Sequence, residues 1–170
     1  IVQVNDAWAR FAEDNRGEEI RHGPVGTWLW QHLAGMEVKH LYRMLLEKVR
    51  DTGKPVRIPF RCDAPEFRRA MMMEVTPLED RSVRFSSWIV EETERPPIGL
   101  LEADRDEAST RAIRMCAWCK RIGTEDDEWQ ELEEAFEDGD LFQEYPLPQI
   151  THGVCPDCQR LVLSRLDAGE

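Results

Sequence analysis

The chain has 170 residues, 41% of them hydrophobic, which excludes a disordered polymer and leaves room for one ordinary domain plus a small appendage. Its formal net charge of −12 disfavours nucleic acid as the partner of the cysteine-rich C-terminal part, because a phosphate backbone calls for basic surface. No apolar run approaches the ~18 residues of a membrane span and no signal peptide is visible, so a cytoplasmic protein without membrane contact is expected. The first residue is Ile1 rather than Met, as in an excised or processed chain.

Residues 1–5 alternate apolar and polar, the mark of a half-buried strand. Asn5 or Asp6 can cap a helix over 7–14 that gathers Trp8, Phe11 and Ala12 on one face. Residues 17–27 are polar with three glycines and a proline, hence a loop. Thr27 can cap a short segment over 28–33. The clearest helix is 36–51, where Val38, Leu41, Leu45 and Val49 recur at helical spacing and Gly53 follows. The period then changes to two. Strands are expected at 56–62, 67–77 and 83–90, an antiparallel meander. Arg95-Pro96-Pro97 opens a polar stretch read as a linker over 94–110. Further on, 126–136 reads as an amphipathic helix around Trp129, Leu132 and Phe136. A proline-containing loop over 137–150 and a final helix over 156–166 complete the chain.

Four of the five cysteines form two C-x-x-C pairs, Cys116/Cys119 and Cys155/Cys158. Two intervening residues let a tight turn aim both thiolates at one ion, and two such turns supply four sulfurs to a tetrahedral site. The reading is a structural zinc centre. Two unrelated cysteine turns or disulfides, and a redox iron site on the same ligands, are the alternatives. Four thiolates leave no open coordination position, which argues against metal catalysis. His152 stands three residues before Cys155 and is a candidate to replace a cysteine. The 35 residues between the pairs must form structure of their own. Within them, 125–140 carries ten acidic residues and no Lys or Arg, the opposite of a DNA-reading finger.

The element order and wording resemble a PAS domain over residues 1–93. IVQVNDAWARFAEDN is similar to a PAS opening, and GTWLWQHLAG with LYRMLLEKVRDTGKPVRIPFRCDAPEFRRAMMMEVTPL is similar to the later helices and central strands of bacterial sensory PAS domains. The usual first strand is absent or cut off before Ile1, so four of the usual five strands are expected. CAWCKRI, an acidic Trp-containing helix and THGVCPDC resemble a cysteine-rich segment attached to bacterial PAS and GAF sensors. That pattern places its ligands on Cys116, Cys119, Cys155 and Cys158, with 138–148 as an insertion.

The resemblance implies a pocket between sheet and helices. Arg61 and Arg69, with Arg57 and Arg68 nearby, are candidates to hold a carboxylate ligand, against the alternative of solvent-facing counter-charges. Cys62 is either a small buried residue or a reactive thiol. His40 begins the long helix, where haem-binding PAS domains present an axial ligand; a structural histidine is the alternative. Met71 and Met73 are core filling or an adaptable pocket lining. No phosphate loop, kinase signature or nucleophile elbow is present, so no enzymatic activity is expected.

The expected fold is therefore α+β: a PAS-like antiparallel sheet flanked by helices over 1–93, a linker over 94–110, and a zinc-binding α/loop module over 111–170. The expected role is a sensory or regulatory domain, homodimeric, that binds an unidentified small molecule or a protein partner in a signalling pathway. A pure dimerisation or interaction module and a redox protein are the other readings.

Overall fold

The computed structural model describes residues 1–15, 23–102, 110–137 and 146–168. The expected loop residues 17–22, residues 103–109 of the expected linker and the bulk of the 138–148 insertion lie outside the described residues. The chain divides into two compact units, 1–34 and 35–170.

In the first unit, helix α1 spans Asp6–Asp14. The Asn5 side-chain oxygen accepts from the Trp8 N–H at 2.9 Å, which satisfies one of the free donors at the helix start. Ala12 is buried on its apolar face. The expected strand at 1–5 does not form. Ile1 is tied at both ends of its backbone, its ammonium donating to the Thr27 carbonyl and its own carbonyl accepting from the Gly26 N–H, yet Val2 is 91% exposed. Alternation marks a strand only where a second strand offers a ladder, and residues 1–5 have none among the described residues. Thr27 is not the expected cap either. Its hydroxyl donates to the Pro24 carbonyl, and a 3-10 turn over Leu29–Gln31 is closed instead by the Gln31 side chain on the Trp28 N–H.

The second unit opens with helix α2, Met36–Thr52, whose stripe of Val38, Leu41, Leu45, Leu46 and Val49 is buried. Gly35 precedes it at φ +84°, and a Cβ there would stand 2.5 Å from the His152 carbonyl oxygen, so only glycine fits. Gly53 closes α2 in the left-handed conformation, its N–H returning to the Val49 carbonyl. The α2 stripe accompanies an antiparallel sheet of β1 (Val56–Arg61), β2 (Phe67–Pro77) and β3 (Val83–Glu94), in that order. Val56, Ile58, Met71, Met73 and Val75 are its buried apolar residues; each such side chain contributes roughly 1.5–3 kcal/mol by leaving water. The sheet holds three strands among the described residues rather than four, since 1–5 does not join it. A bulge interrupts β2–β3 pairing: Met71 faces Ile89 and Ala70 faces Glu91, leaving Val90 as the extra residue.

The cysteine-bearing part is not the α/loop module expected. It contains a second, mixed sheet of β4 (Ala112–Cys116), β5 (Ile122–Gly123), β6 (Trp129–Gln130) and β7 (Gln149–Gly153), ordered β6-β5-β4-β7, with β4 and β7 parallel. The strands are two to five residues long, too short to show a period in sequence. The helix expected over 126–136 begins only at Leu132, as α3 (Leu132–Glu137). Trp129 is drawn into the sheet opposite Gly123, and the Arg114 guanidinium stacks 4.8 Å over its ring. Helix α4 spans Pro156–Ala168. Ile98 and Leu100, within the stretch read as a linker, are buried in a cluster with Ile113, Met115, Ile122, Leu132 and Ala135.

Candidate metal centre

Parallel pairing of β4 with β7 sets Cys116 opposite Gly153 and so brings the two C-x-x-C turns together. The Ala117 N–H donates to the Gly153 carbonyl at 2.9 Å, which locks one turn to the approach of the other. The first turn closes with the Lys120 N–H on the Cys116 carbonyl, Lys120 itself at φ +67°. Beyond Cys155, Pro156 takes the first position of α4, where its missing N–H costs nothing. Cys158 falls in the first helical turn, at the positive end of the helix dipole.

The sulfurs of Cys116, Cys119, Cys155 and Cys158 all lie within 4.8 Å of one another, and Cys119 and Cys155 are 3.6 Å apart. Four sulfurs at ~2.3 Å from a central ion form a tetrahedron with edges of about 3.8 Å, which this spacing fits. Disulfide sulfurs would be ~2.05 Å apart, and all five cysteines are free thiols, so the disulfide alternative is not realised. Backbone donors already point at the sulfurs: Cys155 N–H to Cys116 Sγ and Cys158 N–H to Cys155 Sγ, each at 3.4 Å. Cys116, Cys155 and Cys158 are buried and Cys119 is half-buried.

The four sulfurs could hold a cation. Hydrogen bonds from the Cys119 and Cys158 thiols drive Cys116 far below the ordinary thiol range. The same contacts push Cys119 up to about 12 and Cys158 still higher. The Cys116 thiolate is thus favoured over those of Cys119 and Cys158. His152 does not join the cluster; it lies on β7 opposite Met115, largely exposed.

Two features fasten the metal turn to the first sheet, and neither was apparent in the sequence. Trp118, between the two cysteines of the first pair, is 3% exposed, and its ring lies 5.4 Å from Tyr42 of α2. Tyr42 in turn donates to Met73 Sδ on β2, and burial pushes its phenol up to about 12. The Trp118 carbonyl accepts the Arg61 N–H at 2.6 Å, so β1 ends on the metal turn. The second feature is an ion network. Arg61 pairs with Asp63, with Glu131 at 3.1 Å and with Glu133 at 2.7 Å, and Arg95 bridges Asp63 at 3.0 Å and Glu133 at 2.6 Å. Arg121, two residues past Cys119, holds Glu131 and Asp157 of α4.

This network settles where Arg61 points. It is buried, as a ligand-binding arginine would be, but its carboxylates are the protein's own. Arg69 pairs with Glu92 at 2.5 Å and lies over the Phe67 ring; Arg57 pairs with Glu74, and Arg68 is half-exposed beside Glu131. Cys62 is half-buried, and burial raises its thiol against the pull of Lys120 and Arg69. Met71 and Met73 are buried in the sheet. His40 is exposed on α2 at a cleft of about 140 Å³ that it lines with Glu37, Leu41, Val154 and Gln159. That volume is below the ~300 Å³ at which small-molecule sites begin. The structure therefore gathers the four cysteines into one site and leaves the six pocket candidates in separate roles. Comparisons of the chain with protein-family models, with curated proteins and with solved structures return no match.

Proposed function

We propose that the chain is a PAS-type regulatory domain whose C-terminal module is a structural zinc centre, and that it works through protein contacts rather than catalysis. The observation that carries the reading is the convergence of four cysteine sulfurs beside a buried tryptophan that reaches α2. When bound, zinc would supply charge and cross-linking, holding four thiolates at one point. Everything else falls to the chain. Trp118 fills the space beside Tyr42, the Arg61 N–H fixes the turn's carbonyl, and Arg121 ties the first cysteine turn to α4.

Between a small-molecule sensor and an interaction relay, the arginines favour the relay. A carboxylate ligand at Arg61 would have to displace Asp63, Glu131 and Glu133, all closer than 3.5 Å. Native mass spectrometry with elemental analysis, on protein purified without added metal, tests both parts. One zinc per chain and no further adduct is the expected result. An adduct retained by the folded species would return the sensor reading. Iron, visible as colour, would favour the redox reading.

A further inference from the structure

We infer that the four-cysteine centre is an oxidant-responsive switch, in which hydrogen peroxide oxidises Cys119 and Cys155 closes the product as a disulfide between the two turns. The inference rests on the zinc reading and adds to it a means of releasing the metal. Access singles out Cys119. Cys116 and Cys155 are 0% exposed and Cys158 is 7% exposed, whereas Cys119 is half-buried and reaches solvent. A sulfur must be both ionised and reachable to be oxidised, and metal binding keeps a thiolate ionised at neutral pH. Cys62, the fifth cysteine, is reachable but not ionised. It too is half-buried, and burial raises its thiol, which leaves it protonated and a poor nucleophile.

The second sulfur is already at hand. Cys155 Sγ stands 3.6 Å from Cys119 Sγ, so closing to the ~2.05 Å of a disulfide takes about 1.5 Å of movement. In the first step the Cys119 thiolate attacks one oxygen of the peroxide. The S–O bond forms, the O–O bond breaks, and hydroxide leaves to take a proton as water. The Cys155 thiolate then attacks the Cys119 sulfur. The S–S bond forms, the S–O bond breaks, and a second hydroxide leaves and is protonated to water. Two thiolates have lost two electrons, and one peroxide with two protons has become two waters. Only Cys116 and Cys158 are then left as ligands, half the set that a closed structural site requires. Trp118, whose carbonyl takes the Arg61 N–H, directly precedes Cys119, so the change reaches the end of β1.

The test treats the full 170-residue chain, with its zinc bound, with hydrogen peroxide. A chromophoric chelator reads the zinc released, and mass spectrometry of peptides maps the disulfide. Expected are one zinc released per disulfide formed, a Cys119–Cys155 link, and recovery of bound zinc when a dithiol reductant and zinc are added. Cys62→Ser leaves the release unchanged. Cys119→His keeps a metal ligand but removes the attacking sulfur, and release from it slows on the order of tenfold or more. If that variant does not load zinc, the peptide map of the natural chain decides alone. Zinc retained under excess peroxide overturns the inference, as does a disulfide within one C-x-x-C pair or a first oxidation at Cys62. A chain that holds no zinc before peroxide is added overturns the zinc reading and the inference with it, so the two failures are told apart at the first measurement.

Discussion

Arg61 shows how much one side chain can carry. Its fork reaches three carboxylates on two segments about seventy residues apart in the chain, and the Asp63 side chain beneath it is fully buried. Buried pairs are costly to break from one side, because the remaining charge is stranded. Arg61→Met should therefore destabilise the fold by about 3–5 kcal/mol in urea titrations, with the zinc still bound in the folded fraction. A pH dependence follows from Glu133. Burial alone would raise its carboxyl, but the hydrogen bond from Arg61, its own backbone N–H and Arg95 hold it below the usual range. A depressed folded-state pKa means that its contribution is fully present above the unfolded value of ~4.3 and is lost as pH falls through the lower folded value. Melting temperatures should drop over that acidic window, and the drop should flatten in Glu133→Gln. Arg61 was singled out in the sequence by strand alternation. Its partners Glu131 and Glu133 were not, because they lie about seventy residues away and no local pattern couples them, although Asp63 stands only two residues on.

At the scale of elements, the long helix and the meander were legible because their periods are long. α2 runs for 17 residues and β2 for 11, enough to display spacings of 3.6 and 2. The second sheet was not legible, because a strand of two residues has no period. The cysteine pairs were legible from spacing alone, whereas the Trp118 anchor between them was not, since one aromatic in a turn does not declare what it packs against. Trp118→Ala keeps all four sulfurs while removing the ring against Tyr42. It should cost roughly 3–5 kcal/mol in thermal or urea unfolding yet leave one zinc per folded chain. Loss of zinc from the folded variant would show that the ring shapes the site itself. Gly35→Ala tests the junction before α2. Its positive φ and the His152 carbonyl 2.5 Å from the added Cβ leave no relaxed position, so about 1–3 kcal/mol should be lost.

For the whole molecule, the metal reading makes the 35–170 unit cooperative. Ile98 and Leu100 are buried with β4 and β5, the Arg61 network joins β1 to α3, and the metal turn ends β1 through one backbone bond. Removing the ion with a chelator should expose more than the cysteine turns: amide exchange should accelerate in β1 and α3 as well as at 116–119 and 155–158. Acceleration confined to the turns would mean that the centre only trims its own loops. The central claim is a four-thiolate zinc. X-ray absorption at the zinc edge of the purified protein examines it most directly. The account expects a shell of four sulfurs at ~2.3 Å with no nitrogen or oxygen. A shell with an imidazole nitrogen would bring His152 into the site, and an absent zinc signal with all five cysteines reduced would contradict the account outright.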